Sequence, residues 1–249
     1  MAARVLLLFS PGTSMPATLI HEHRFPNTLA LTHVLTAQIK VDLEEAIAAR
    51  AAAGLVVSGG RTPEGLFKNL RNEPLDWSRV WITLADERWV DTASPQSNER
   101  LVREVLLQGK AAAAHFIGLK NTAAAPEQGV EWAWRSIKRI PRPFDIVLLG
   151  MGEDGHFASL FPGSLGIVRA LDLTAPPGCV AMNALAEPHA RISLNLPALL
   201  DTRRVMLLIT GHAKWQVYER ARTAGSSSEL PIRALLQQKQ VPVDVYWSP

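Results

Sequence analysis

Short apolar runs recur along the chain with helical patterns between most of them, and this alternation constrains the fold more than any other feature. The runs are "GLVV" from 54, "VWITL" from 80, "HFIGL" from 115, "DIVLL" from 145, "CVAMNAL" from 179, "RISLNL" from 191, "VMLLIT" from 205 and "VDVYW" from 243. Each has the length of a buried strand and is too short for an ordinary helix. Between them, "SNERLVREVLL" begins at Ser97, a good N-cap, and brings Leu101, Val102, Val105 and Leu106 onto one face. The stretch from 29 to 53, "LALTHVLTAQIKVDLEEAIAARAAA", reads as a longer amphipathic helix. Strands alternating with helices predict an α/β, Rossmann-like fold: a mostly parallel sheet covered by helices on both faces.

At 249 residues the chain can bury one sizeable core, and no segment reads as a linker, so one domain is expected over 1–249. Residues 1–20 fit the pattern least and are expected to form an N-terminal extension. Hydrophobic residues make up 47% and charged residues 20%, the balance of a folded globular chain. A net charge of +3 without a long basic run permits an anionic substrate and argues against nucleic acid, which calls for a clustered basic face. Cys179 is the only cysteine, which excludes an internal disulfide and a thiolate metal cluster and fits a reducing compartment. No run of 18 apolar residues occurs, so no membrane partner and a cytoplasmic location are expected. Nothing in the sequence sets the oligomeric state or demands more than a monomer.

Four loops follow these strands and carry the residues suited to chemistry. In "SGGRTPEGLF", Gly59 and Gly60 can bring backbone N–H groups against an anion, while Thr62 and Pro63 fit the N-cap and first position of a helix whose positive end would face the same spot. In "LADERWV", Asp86, Glu87 and Arg88 lie where a strand exits. "GMGEDGHFASLFPG" places Asp154 and His156 after the strand "DIVLL"; His suits general-base work near neutrality, and Asp154 could fix its tautomer. In "TGHAKWQ", Gly211 and Lys214 offer a helix start with a cation, and Arg191 heads "RISLNL". Taken singly, each is also an ordinary glycine turn, solvated strand end or surface charge. Together they make the ligand crevice expected of an open α/β sheet.

The glycines at 150, 152 and 155 also spell the dinucleotide fingerprint G-x-G-x-x-G, but its context is missing. Pro162 and Gly163 stop any helix within two turns, and "GSLGIVRAL" makes a poor second strand before Asp172. The histidines of "HEH" at 21–23 lack the spacing of a helical metal pair, and neither His115 nor His189 has an evident partner, so no metal site is expected. No Walker lysine and no G-x-S-x-G elbow occurs.

In order and spacing, "SGGRTP", "DERWV" with "SNERLV", "GMGEDGHFASLFPG", "ARISLNLPALL" and "TGHAKW" resemble the motifs of bacterial 6-phosphogluconolactonases, which share a fold with glucosamine-6-phosphate deaminases. The resemblance runs from about residue 54 to about 220. It implies hydrolysis of 6-phospho-D-glucono-1,5-lactone to 6-phosphogluconate in the oxidative pentose phosphate pathway, without metal or cofactor. The implied catalytic residues are His156 with Asp154. Gly59, Gly60, Arg61 and Thr62 are the implied phosphate loop, with Asp86, Arg88, Arg191 and Lys214 around the substrate. Gly152 and Gly155 are expected to shape the turn and to aim N–H groups at the oxyanion. Two residues depart from the family pattern: Phe157 stands where threonine is usual, and Asp91 where proline commonly follows "ERWV". Two alternatives remain. One is a deaminase or isomerase on the same fold, although "SLFPGS" lacks the acid a deaminase carries after its histidine. The other is a sugar-phosphate-sensing module, which would bind without turnover.

Overall fold

The computed structural model describes residues 19–183 and 188–249. The expected extension lies outside them except for its last two residues, of which Ile20 opens the first strand. The first half of the chain forms β1 (Ile20–Arg24), α1 (Thr28–Arg50), β2 (Ala53–Val57), α2 (Glu64–Leu70), β3 (Val80–Leu84), β4 (Asp86–Arg88), α3 (Asn98–Leu101), β5 (His115–Ile117) and α4 (Pro126–Ile137). The second half forms β6 (Phe144–Gly150), α5 (Ile167–Ala170), β7 (Cys179–Met182), β8 (Arg191–Leu194), α6 (Leu196–Leu200), β9 (Thr202–Thr210), α7 (His212–Ala221), α8 (Ile232–Gln237) and β10 (Val243–Ser248).

Seven strands make one sheet in the order β1-β10-β9-β6-β2-β3-β5, with every pair parallel. The steps from β1 to β2, β3 and β5 move across the sheet in one direction, and those from β5 to β6, β9 and β10 move back. Right-handed crossovers therefore put α1 and α2 on one face and α4, α7 and α8 on the other. The fold is thus α/β with a mostly parallel sheet under helices, as the alternation predicts. β4, β8 and β7 form a separate antiparallel sheet of three strands, so "RISLNL" and "CVAMNAL" are strands outside the main sheet.

The core is made by the runs legible in the sequence. β2 is buried at every position, and Leu31, Leu35, Ile39 and Leu43 of α1 are buried beside it. Each such side chain contributes about 2 kcal/mol by leaving water. α1 begins at the Asn27 cap, whose side chain accepts from Ala30 N at 2.9 Å, and ends where Ala51 turns left-handed at φ 60°, three residues short of the sequence expectation. Ser97 caps α3 as expected, accepting from Arg100 N at 3.1 Å, but the helix continues as a wide π turn over Val102–Leu106. Thr62 is not a cap: α2 starts at Glu64, and no side chain caps it.

Candidate active site

The strand order reverses between β2 and its neighbour β6, and ligands of open parallel sheets bind at the carboxyl ends of the strands at such a reversal. A cleft of about 420 Å³ lies there. The loop after β2 lines it with Gly59, Gly60, Arg61 and Thr62, and β4 adds Asp86 and Arg88. The turn after β6 contributes Gly152 and His156, β8 Arg191, and α7 Lys214. Asp154 and Gly155 stand behind this wall. The four loops singled out in the sequence meet in one cavity although 155 positions separate Gly59 from Lys214.

The loop at 58–62 suits an anion because its backbone is open. Ser58 N donates to Leu148 O at 3.0 Å, but among the described residues the N–H groups of Gly60, Arg61 and Thr62 have no protein acceptor. Gly60 has φ +92°, and a Cβ at Gly59 would overlap Asn98 Oδ1. α2 has only seven residues, so the loop N–H groups rather than a long helix dipole make the anion nest. Asn98, absent from the sequence expectations, lines the cleft and accepts from Arg88 Nη1 at 2.6 Å, while its amide donates to Asp86 O at 2.9 Å. Its presence in "SNERLV" was the available signal.

The cations differ in setting. Arg191 is buried, with its guanidinium 5.0 Å from the Phe161 ring centre and 3.9 Å from Asp86 Oδ2. Lys214 sits in the first turn of α7, after Gly211 at φ +85°. Burial lowers the Lys214 pKa below the usual lysine range; the Glu153 carboxylate opposes that shift and the Arg61 charge adds to it. Glu87 turns out to be structural. Wholly buried, it accepts from Asn98 N and Glu99 N, both at 2.7 Å, and so anchors the start of α3. Burial pushes its pKa up, and the donations from Asn98, Glu99, Arg88 and Ser97 only partly offset this.

The histidine turn closes on itself. Gly152 N donates to His156 O at 2.9 Å, and Gly155 N to Gly152 O at 3.0 Å. Both N–H groups are thereby used inside the turn, which corrects the expectation that these glycines aim donors at an oxyanion. Gly155 has φ +78° and lies against Leu230, whereas Gly152 lies against the His156 ring, so each glycine makes room as well as the bend. Asp154 Oδ1 accepts from His156 N at 3.1 Å and meets His156 Nδ1 at 2.6 Å. Burial works against the charged carboxyl, but the hydrogen bond and charge of the His156 ring outweigh it and hold the Asp154 pKa below its ordinary value. An ionised carboxylate only accepts, so in the neutral ring Nδ1 carries the proton and Nε2 the lone pair. Phe161 lies over the ring at 4.3 Å.

Neither of the two departures from the family pattern lines the cleft. Phe157 is wholly buried in the core, and Asp91 is exposed, its side chain accepting from Ala93 N at 2.7 Å. Among the described residues, no group of three or more His, Cys, Asp and Glu side chains is arranged to hold a metal ion, and no helix is long and apolar enough to cross a membrane.

The chain is 40% identical over 227 residues to a 6-phosphogluconolactonase of Rhizobium meliloti (strain 1021), covering 91% of this chain and 98% of the relative. It is 41% identical over 215 residues to one of Pseudomonas aeruginosa, covering 86% and 89%. The crystal structure of a 6-phosphogluconolactonase from Shewanella baltica OS155 superposes with a TM-score of 0.89 at 46% identity, covering 92% of this chain and 98% of that one. A monomeric glucosamine-6-phosphate deaminase shares the fold alone, at 18% identity and a TM-score of 0.73 over 92% of this chain and 97% of its own. Residues 26–247 match the family described as glucosamine-6-phosphate isomerases/6-phosphogluconolactonase, and the chain belongs to that family.

Proposed function

We propose that this protein hydrolyses 6-phospho-D-glucono-1,5-lactone to 6-phosphogluconate, a step of the oxidative pentose phosphate pathway. The observation that carries the proposal is the His156 ring, tied at Nδ1 to Asp154, in the wall of the same cleft as the open Gly59–Thr62 loop. Nε2 takes a proton from water, and the resulting hydroxide adds to C1 of the lactone. The tetrahedral oxyanion collapses, the bond from C1 to the ring oxygen breaks, and the imidazolium returns its proton to that oxygen, which becomes the C5 hydroxyl. With the N–H groups of Gly152, Gly155 and His156 used inside the turn, stabilisation of the oxyanion is assigned to the cleft cations. The phosphate, held by the loop and by Lys214, supplies binding energy that fixes C1 against the water. The assay is release of acid from the phosphorylated lactone by purified protein, corrected for spontaneous opening. A rate no faster than background would overturn the reading.

Lys214→Ala is expected to raise KM by about 10- to 100-fold with little change in kcat, the effect of losing one charge-assisted contact. Glucono-1,5-lactone without its phosphate is expected to react with kcat/KM lower by about 10² or more. Equal efficiency with both lactones would remove the phosphate assignment.

The depressed Lys214 pKa sets a sign for the pH dependence. A lysine whose pKa is lowered loses its charge at lower pH than an ordinary one, so affinity for the phosphate dianion falls as pH rises through that value. kcat/KM, which reports the free enzyme, is expected to show an alkaline fall that Lys214→Arg abolishes, because guanidinium stays charged. An unchanged alkaline fall in Lys214→Arg would assign it to another group.

A further inference from the structure

We propose that Ser159 is a positioning residue, whose hydroxyl engages one oxygen of Asp86 and thereby sets the spacing between Asp86 and Arg191 in the substrate cleft. Ser159 is wholly buried, three residues beyond His156, in the part of the histidine turn that the proposed reaction leaves without a role. Its Oγ donates to Asp86 Oδ2, and its N–H donates to Ser193 Oγ at 3.3 Å. Asp86 and Ser193 are directly opposite each other on β4 and β8, so one residue of the turn grips both strands of that pair. The chain reaches this position through Ala158 at φ +48°, a conformation a non-glycine residue adopts only when its surroundings impose it. Arg191, two residues before Ser193 on β8, has its Nη1 3.9 Å from the same Asp86 Oδ2. That is ion-pair range and beyond a hydrogen bond. Asn98 Nδ2 faces the other oxygen, Oδ1, at 3.4 Å. A buried carboxylate requires donors, and this one draws on a hydroxyl, an amide and a guanidinium. Without the hydroxyl, the strongest remaining donor is Arg191, and a closed Asp86–Arg191 pair would compete with any substrate anion for the guanidinium.

The inference rests on the proposed reaction, and binding measurements separate the two. With 6-phosphogluconate as calorimetric probe, Ser159→Ala is expected to weaken binding about 5- to 10-fold and to raise KM for the lactone by a similar factor, with kcat within about twofold, a coupling of the size found for contacting residues. On an Asp86→Asn background, where no carboxylate can close on Arg191, the same substitution is expected to change binding by less than about twofold. A purely structural role would lower thermal stability and leave the binding factor equal on the two backgrounds. Equal factors, or unchanged binding in a folded Ser159→Ala protein, would overturn the proposal. Should Ser159→Ala fail to fold, Ser159→Thr, which keeps the hydroxyl, is expected to restore both folding and binding; a folded Ser159→Thr protein with weakened binding would also overturn it. Wild-type protein that binds 6-phosphogluconate without opening the lactone would count against the reaction and leave Ser159 in place, whereas no binding by the wild type would remove both.

Discussion

His156→Asn is expected to lower kcat by about 10² to 10⁴, the loss that follows removal of a positioned acid or base, with KM and thermal stability close to wild type. Asparagine cannot take a proton from water, but its amide can still donate to Asp154 Oδ1, and the backbone bond from Gly152 N to the carbonyl of residue 156 does not involve the ring. The turn is therefore kept while the base is lost. Asp154, with its carboxyl held below the ordinary range by the His156 ring, stays ionised beside it. Asp154→Asn is expected to cost less than His156→Asn if orientation of the ring is its whole task. Near-wild-type turnover in a folded His156→Asn protein would remove the base assignment and turn attention to Asp86, the buried carboxylate of the same cleft.

Most of the frame was legible because it is built from residues that say one thing. β2, β3, β6 and β9 are apolar runs of strand length rich in Val, Leu and Ile, and β10 alternates valine with Asp and Tyr before Trp247, all patterns that suit buried strands. Two strands were not legible because their residues answer to partners far away in sequence. β1, "IHEHR", has one apolar residue, and its pairing with β10 is reinforced by His23, which lies 2.9 Å from Asp244 and stacks on Tyr246 at 4.6 Å. β4 is Asp-Glu-Arg, charged throughout, yet Asp86 and Glu87 are buried because Ser159, Asn98 and the N-terminus of α3 satisfy them. No local pattern announces such a strand.

The same distinction runs through the site. Gly60, Gly155 and Gly211 could be read as turn residues from sequence because their backbone angles are closed to most other residues, at φ +92°, +78° and +85°. Where their N–H groups point could not be read, and that is where the expected oxyanion donors failed. Asn98 is hidden in the sequence for a related reason: its position in "SNER" reads as the start of a helix, and only the approach of Gly59 and Arg88 in space makes its side chain part of the cleft.

Gly152→Ala is expected to lower kcat by about 10², because a displacement of about 1 Å in a reacting group has that consequence. A Cβ at this position would overlap His156 Nδ1 and lie 2.5 Å from Asp154 Oδ1, so the imidazole must leave the place where it meets water. Gly152 does not have a positive φ, and alanine is conformationally acceptable there; the added methyl acts on the ring and not on the backbone. The phosphate loop after β2 is untouched, so KM is expected to stay within a few-fold of wild type. Two other glycines bracket the result. At Gly155 an alanine meets both a φ of +78° and the Leu230 side chain, so Gly155→Ala is expected to lower thermal stability along with activity. At Gly65, inside α2 with open space around it, alanine is expected to leave turnover unchanged and to raise stability by about 0.5–1 kcal/mol. Full turnover in Gly152→Ala would mean that the ring can work from a second position, and the pairing of His156 Nδ1 with Asp154 would then not be the geometry in which the reaction occurs.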